Sequence, residues 1–250
     1  MPRIRDGDAA ADLDPRQPGR ADGVDVTAAS TPAFGADPAQ VAWFGARVID
    51  AIASEPPRRV LDIGCGDGAL LRYLAARLPA ATLVGVDVTA RDEQHGRIQF
   101  VGADYLALEV GRFDLVVASS SLQGMGTTTD ALAAKIARDV APSGTLVHVT
   151  PYRCGYNHAL NVLRALLHPL RSRATDRMIL IVARALHPAE PRDKLVQRVD
   201  YMYLILRHYE DDLRAALARR GFRLTRTEPA PHTSAGQPKH RLAVMTAPAR

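Results

Sequence analysis

The chain has 250 residues, of which 47% are hydrophobic, enough for one well-buried domain and too few for two full-sized domains with a tail. Two cysteines, Cys65 and Cys154, are too few for a disulfide framework and lack the spacing of a zinc site, so we expect a cytoplasmic protein without a metal. No run of about 18 apolar residues is present, so we expect no transmembrane segment. The net charge of +5 lies towards the C-terminal part, because residues 151–208 contain ten Lys or Arg and four Asp or Glu.

The first predicted elements are a tail and a helix. Residues 1–37 are rich in Asp, Ala, Pro and Gly and show no periodicity, so we expect a disordered tail before a folded domain over residues 38–250. Apolar residues then recur at helical spacing from Val41 to Ile52, and Asp37 is the predicted N-cap of this helix.

Short apolar runs alternate with helices in the next part of the chain. Strands are predicted at residues 59–63, 82–87, 98–101, 113–118 and 144–149, with helices after the first strand and over residues 129–140. Strands that are apolar on nearly every residue are buried on both faces, as parallel strands between helix layers are. The pattern predicts a doubly wound α/β fold.

Residues 151–208 break this alternation with three apolar-periodic helical stretches, which we interpret as a helical insertion that forms a lid. Its arginines are open to three interpretations: they bind an anionic ligand, contact an anionic membrane surface, or form a solvated face. A helix from Tyr209 to Arg220 follows, and the strands predicted at residues 222–227 and 241–246 can pair as an antiparallel hairpin. The sheet is therefore expected to have seven mostly parallel strands.

A glycine-rich turn follows the first strand, within residues 60–69. Gly64, Gly66 and Gly68 permit positive φ and close approach of a ligand, and the helix that follows offers unpaired N–H groups. The turn also fits the looser dinucleotide pattern G-x-G-x-x-A, so an NAD(P)-dependent oxidoreductase is an alternative.

Three acidic residues argue against a dinucleotide. Asp67 lies in the turn where a pyrophosphate would bind, which costs Coulomb energy, and Asp62 and Asp104 add carboxylates near the ends of neighbouring strands. A ligand with an amino group suffers no such penalty. The predicted antiparallel hairpin is also foreign to the usual dinucleotide sheet.

At these residues the chain resembles the class I, Rossmann-like S-adenosylmethionine-dependent methyltransferases of the small-molecule type. The family's first motif, acidic-x-Gly-x-Gly-x-Gly, matches residues 62–68 without departure, and the resemblance covers residues 41–150 and 209–247. It implies that the cofactor is S-adenosylmethionine and that the glycine-rich turn wraps its methionine part.

The resemblance also implies roles for residues that follow later strands. Asp87, 19 residues beyond Gly68, matches the acid that binds both ribose hydroxyls, and Asp104 matches the acid that accepts from the adenine amino group, with Tyr105 beside the ring. The cofactor-binding residues implied in this way, of which the last two would line the methionine end, are Asp62, Gly64, Cys65, Gly66, Asp87, Val88, Ala103, Asp104, Tyr105, Ser119 and Ser120.

The acceptor is less clearly indicated than the cofactor. Methyl transfer needs mainly orientation and proximity, although an alcohol or phenol benefits from a general base, for which His158 is the first candidate and His208 the second. The fourth strand leads into residues 118–121, Ala-Ser-Ser-Ser, where enzymes that methylate exocyclic amino groups of nucleobases carry Asn or Asp-Pro-Pro-aromatic, so we expect no DNA partner.

The sequence therefore predicts O- or N-methylation of a small-molecule acceptor, with a role in secondary metabolism left open. The acceptor could carry a carboxylate or phosphate that the basic insertion binds. Two alternatives remain at this point: an NAD(P)-dependent oxidoreductase, and a noncatalytic cofactor-binding protein with a methyltransferase fold.

Overall fold

The computed structural model of the protein describes residues 37–52, 55–88, 96–231 and 238–249. Apart from Asp37, the predicted tail lies outside these residues. The helices and strands, in chain order, are α1 (Pro38–Ala51), β1 (Arg59–Ile63), α2 (Ala69–Ala75), β2 (Thr82–Asp87), β3 (Ile98–Gly102), β4 (Phe113–Ser119), α3 (Thr129–Asp139), β5 (Val140–Pro151), α4 (Gly155–Leu167), α5 (Arg173–Leu186), α6 (Arg192–Tyr201), α7 (Glu210–Ala218), β6 (Arg223–Pro229) and β7 (His240–Thr246).

The sheet has seven strands in the order β3-β2-β1-β4-β5-β7-β6. Strands β1 to β5 are parallel, whereas β7 is antiparallel to both β5 and β6. The predicted doubly wound α/β fold and its C-terminal antiparallel hairpin are thereby confirmed. The strand order reverses between β1 and β4, and in open α/β sheets a ligand binds beyond the carboxyl ends of the strands at such a point.

Each face of the sheet carries its own buried apolar cluster. On one face, Phe44 and Val48 of α1 and Leu71 and Leu74 of α2 pack against the sheet. On the other face, the cluster is built from α3 and α7, which meet the sheet through side chains such as Ile136. The apolar strands predicted these two helix layers, because a strand that is buried on both faces has to be packed against helices on both sides of the sheet.

The start of β5 differs from the sequence prediction. Strand β5 begins at Val140, directly after α3, rather than at Gly144. A register shift on β4 between Phe113 and Leu115 accommodates extra residues of β5, and Ser143 there has φ of +59°. Residues 141–143 lie between the predicted helix and the predicted strand, whereas the structure includes them in β5 next to this irregularity.

The helices between β5 and α7 bury only part of their apolar surface. Ile179, Val199 and Tyr203 form a small cluster of their own. The large apolar side chains that stay exposed in this segment are Val162, Leu163, Leu166, Leu170, Met178, Ile181, Val182, Leu186 and Val196. Within the described residues, no helix is both long and apolar enough to span a bilayer.

Helix α4 is attached to the sheet edge through a buried amide. The side chain of Asn157 donates from Nδ2 to the carbonyl oxygens of Tyr152 and Lys239, both at 2.7 Å, and its Oδ1 accepts from the Lys239 amide. Because Asn157 is fully buried and satisfies these backbone groups, the start of α4 is fixed beside β5 and β7.

Candidate functional site

A cavity of about 380 Å³ opens at the carboxyl ends of β1 to β4. Nine of the predicted cofactor-binding residues line it, all but Asp62 and Cys65. The full lining is Gly64, Gly66, Val86, Asp87, Val88, Ala103, Asp104, Tyr105, Leu106, Ser119, Ser120, Ser121, Gln123, Gly124, Met125, Gly126, Tyr201 and Leu204.

The glycine-rich turn between β1 and α2 adopts backbone conformations that favour glycine. Gly64, Gly66 and Gly68 have φ of +70°, +52° and +77°. A Cβ on Gly64 would lie 2.3 Å from Cβ of Ser121, and the Gly64 amide donates to the Val86 carbonyl at 2.7 Å. The turn is therefore held close against the ends of β2 and β4, where a side chain at position 64 has no room.

Two residues of the predicted motif are buried and are not part of the cavity lining. Asp62 is only 2% exposed within β1. The Cys65 side chain packs under β2, since a Cβ on Gly85 would lie 2.7 Å from its Sγ. Asp67 also has a local function, because its carboxylate accepts from the Ala69 amide at 2.9 Å and caps the start of α2.

The ends of β2 and β3 bring two carboxylates to the same side of the cavity. Asp87 accepts a 2.9 Å hydrogen bond from the Gly66 amide, while Val88 beside it is exposed at the rim. Asp104 accepts from the Leu106 amide at 2.9 Å and caps a short 3-10 helix, Tyr105–Ala107. Both carboxylates are thus fixed by backbone amides next to the cavity.

Tyr105 lines the cavity although most of its side chain is buried. Its place beside the adenine stays a prediction; the side chain is only 3% exposed and its hydroxyl donates to Oδ2 of Asp139 at 2.8 Å. The Lys135 ammonium also forms an ion pair with Asp139 and lies 4.3 Å from the centre of the Tyr105 ring. Burial raises the pKa of Tyr105 and of Asp139 and lowers the pKa of Lys135. The phenol therefore belongs to a buried polar cluster beneath the cavity.

The far wall of the cavity comes from residues that the prediction did not include. Gln123 follows β4 and donates from Nε2 to the Ser120 carbonyl at 2.6 Å, where Ser120 itself has φ of +55°. Leu204, just after α6, packs on Gly124, since a Cβ there would lie 2.6 Å from Leu204 Cδ1. No sequence motif identifies Leu204, because only the folded chain brings it back to the end of β4.

Neither predicted general base lies in the cavity lining. His158 is exposed on α4. His208 is buried, with Nε2 3.0 Å from the Met125 carbonyl and Nδ1 2.9 Å from Thr129 Oγ1. A carbonyl can only accept, so Nε2 donates and Nδ1 accepts from the hydroxyl, and burial lowers the pKa of His208. Both of its nitrogens are committed to structural contacts.

A protein-family model described as a methyltransferase domain matches residues 39–227. The chain belongs to this methyltransferase family. A curated relative, the malonyl-[acyl-carrier protein] O-methyltransferase of Geobacter sulfurreducens, is 30% identical over 190 residues, which make up 71% of this chain and 61% of that protein. The chain thus spans less than two thirds of the length of this relative.

Two solved structures resemble the chain in fold. The 1,6-didemethyltoxoflavin-N1-methyltransferase of Burkholderia thailandensis, solved with 1,6-didemethyltoxoflavin and S-adenosylhomocysteine, has a TM-score of 0.57 at 15% identity and covers 85% of this chain and 80% of its own. The [4+2]-cyclase SpnF has a TM-score of 0.54 at 16% identity and covers 83% of this chain and 81% of its own. One fold thus occurs in proteins named for different reactions, and the acceptor has to be argued from the site.

Proposed function

We propose that the protein transfers a methyl group from S-adenosylmethionine to a small molecule. The observation that carries the proposal is the cavity lining, which combines the Gly64 and Gly66 turn with Asp87 and Asp104 and, among the described residues, contains no Lys or Arg. Acidic groups without basic ones suit a cationic ligand with an amino group and ribose hydroxyls, and they disfavour a pyrophosphate. The family match supports the same cofactor.

Residues at the ends of different strands would bind different parts of this cofactor. In the proposed complex, Asp87 accepts from the ribose hydroxyls, Asp104 accepts from the adenine amino group, and Ser119 and Ser120 line the methionine end. When bound, the cofactor supplies a methyl group on a positively charged sulfur. The contribution of the protein to catalysis would be to orient the acceptor against that methyl group and to exclude water.

The acceptor end of the cavity is the part near Met125, Tyr201 and Leu204. Because Tyr201 ends α6 and Leu204 follows it, we assign the segment over residues 151–208 the role of a lid on the acceptor. The described lining of the cavity contains no histidine, so orientation by these walls, rather than a histidine base, is the proposed source of catalysis.

The acceptor we propose is an anionic small molecule, and DNA is not a proposed partner. The excess of Lys and Arg in the insertion supports an anionic acceptor. Arg171 and Arg198 are not candidates for binding it, because they pair with Asp200 and Glu190. The proposed location is the cytoplasm, which agrees with the finding that Cys65 and Cys154 form no disulfide among the described residues.

Calorimetry and mass spectrometry test the proposal together. The purified protein should bind S-adenosylhomocysteine, and incubation with S-adenosylmethionine and a metabolite extract should produce a compound that has gained one methyl group. Asp87→Ala is the comparison variant and should weaken both signals. Binding of NADPH in place of S-adenosylhomocysteine would support the oxidoreductase alternative, and cofactor binding without any methylated product would support the noncatalytic one.

A further inference from the structure

Arg164, on α4, is fully buried, and no carboxylate of the described residues pairs with it. Nε, Nη1 and Nη2 make no hydrogen bond of normal geometry, and the side chain that interacts with the guanidinium is the neutral phenol of Tyr201. Burial lowers the pKa of Arg164, yet a guanidinium starts from a value so high that it stays charged at neutral pH. A buried charge without a counter-charge is strongly destabilising. Binding of an anion next to Arg164 would therefore stabilise this part of the protein.

The acidic residues at the start of α7 have other basic partners. Glu210 pairs with Arg214 and Arg241, and Asp212 pairs with Arg153. Oδ2 of Asp211 accepts from the Arg153 amide and Oδ1 lies 3.4 Å from Arg241. These carboxylates therefore pair with other arginines, whereas the groups that interact with Arg164 are tyrosines.

Tyr201 connects Arg164 to the cavity. The guanidinium carbon of Arg164 lies 4.6 Å from the centre of the Tyr201 ring, and Tyr201 is part of the cavity wall. Beside it, Oε1 of the lining residue Gln123 is buried and makes no hydrogen bond of normal geometry among the described residues. The Tyr201 side chain interacts with both Arg164 and Gln123, so the partners of the buried cation at the end of the cavity assigned to the acceptor are neutral groups.

We propose that Arg164 binds a carboxylate of the methyl acceptor, an inference that rests on the proposed function. A guanidinium offers two parallel N–H groups that match the two oxygens of a carboxylate. A single arginine neutralises one charge, which favours a monoanionic carboxylate over a dianionic phosphate. In the complex, the Tyr201 ring turns aside and the carboxylate takes its place against the guanidinium; a side-chain rotation of this kind is common when ligands bind.

The test compares three probes of one shape: benzoate, its neutral amide benzamide, and phenyl phosphate. Each is titrated by calorimetry into protein saturated with S-adenosylhomocysteine. Benzoate should bind at least about tenfold more tightly than benzamide, because a charge-assisted bidentate contact is lost with the amide. Equal binding of benzoate and benzamide, or binding of neither, overturns the assignment, and tighter binding of phenyl phosphate overturns the carboxylate as the ligand class.

Two variants attribute the preference to Arg164. Arg164→Met removes the charge while keeping an apolar chain in the buried position, so the fold should survive, since replacing a buried ion by an apolar residue is often neutral or stabilising. Its melting temperature and its affinity for S-adenosylhomocysteine should match those of the parent, whereas the preference for benzoate should disappear. Arg177→Met, which removes an exposed charge from the same segment, should keep that preference.

The two proposals fail separately. Absence of S-adenosylhomocysteine binding in the parent protein contradicts the proposed function. Normal S-adenosylhomocysteine binding, with the benzoate preference unchanged in Arg164→Met, contradicts only the role of Arg164. If Arg164→Met does not fold, the probe comparison in the parent protein still decides whether an anion site exists, and Arg164→Lys, which keeps the charge but loses the paired N–H groups, should show a reduced preference for benzoate.

Discussion

The backbone amide of Gly66 donates a 2.9 Å hydrogen bond to Oδ2 of Asp87, which ties the turn after β1 to the last residue of β2. The bond fixes the orientation of the carboxylate before any ligand arrives. Pre-orientation of this kind increases affinity because less side-chain freedom is lost on binding.

Asp87→Ala should weaken binding of S-adenosylhomocysteine about 10-fold to 100-fold, since the charge-assisted contacts to ribose hydroxyls that it removes are worth roughly 1.5–3 kcal/mol. Isothermal calorimetry on the folded variant measures the change. Asp67→Ala, at a carboxylate outside the cavity lining, is the control and should bind the ligand as the parent does. Unchanged affinity in Asp87→Ala would remove this residue from the cofactor site.

Gly64→Ala should abolish cofactor binding and lower the free energy of unfolding by on the order of 2 kcal/mol, because its φ of +70° is unfavourable for alanine and its Cβ would lie 2.3 Å from Ser121 Cβ. Gly155→Ala is the matched control, since a Cβ there meets nothing within 4 Å. Denaturant unfolding and calorimetry report the two effects. A Gly64→Ala protein of normal stability and affinity would be incompatible with the close approach of these two segments.

The strands and the cofactor side of the cavity could be predicted from the sequence because their signals are local. A run of apolar residues identifies β1, and the glycines after it identify the turn. The orientation of Tyr105 could not be predicted, since it depends on Asp139, which lies 34 positions away in the chain. Leu204 was missed for the same reason: its place depends on how a helical segment without a motif returns to the sheet.

The ion pair between Lys135 and Asp139 offers a test of the buried polar cluster. Lys135→Met should destabilise the protein by about 3–5 kcal/mol, because it leaves a carboxylate buried without its cation. The double variant Lys135→Met, Asp139→Leu should recover most of that loss, since both charges are gone. Urea unfolding of the two variants and the parent measures the difference, and a single variant as stable as the parent would contradict the burial of this pair.

His148 should make stability depend on pH. It is fully buried in β5, and burial lowers its pKa to about 4 from an ordinary value of 6.5. Between these values the unfolded chain binds a proton that the folded chain does not, so the free energy of unfolding should fall as the pH falls from about 6.5 to about 4, by roughly 3 kcal/mol over the whole range. Above pH 6.5 this contribution is constant.

The variant His148→Asn separates this effect from the titration of carboxylates. Asparagine keeps a polar atom that can reach Thr150, whose hydroxyl lies 2.9 Å from Nδ1 of His148, but it does not titrate. Urea unfolding at several pH values between 7 and 4.5 should give a shallower pH dependence for the variant than for the parent. Equal slopes would show that His148 does not stay neutral in the folded protein.

Leu204→Ala should raise the KM for the acceptor several-fold and leave the affinity for S-adenosylhomocysteine unchanged, because Leu204 lies in the part of the cavity lining that we propose contacts the acceptor. Leu166→Ala, at an exposed apolar residue of the same helical segment, is the control and should change neither quantity. Steady-state kinetics with the acceptor found by mass spectrometry measures the effect. A loss of cofactor affinity instead would place Leu204 in the cofactor half of the cavity.

The position of β7 between β5 and β6 has a consequence for biosynthesis. Strand β6 is made first, but its only neighbour among the described strands is β7, which follows it in the chain. During translation β6 therefore leaves the ribosome without a partner and waits until His240 to Thr246 have been added. An unpaired strand is a template for wrong pairing, so the interval between Pro229 and His240 is the stage of synthesis at which the nascent chain is most exposed to aggregation.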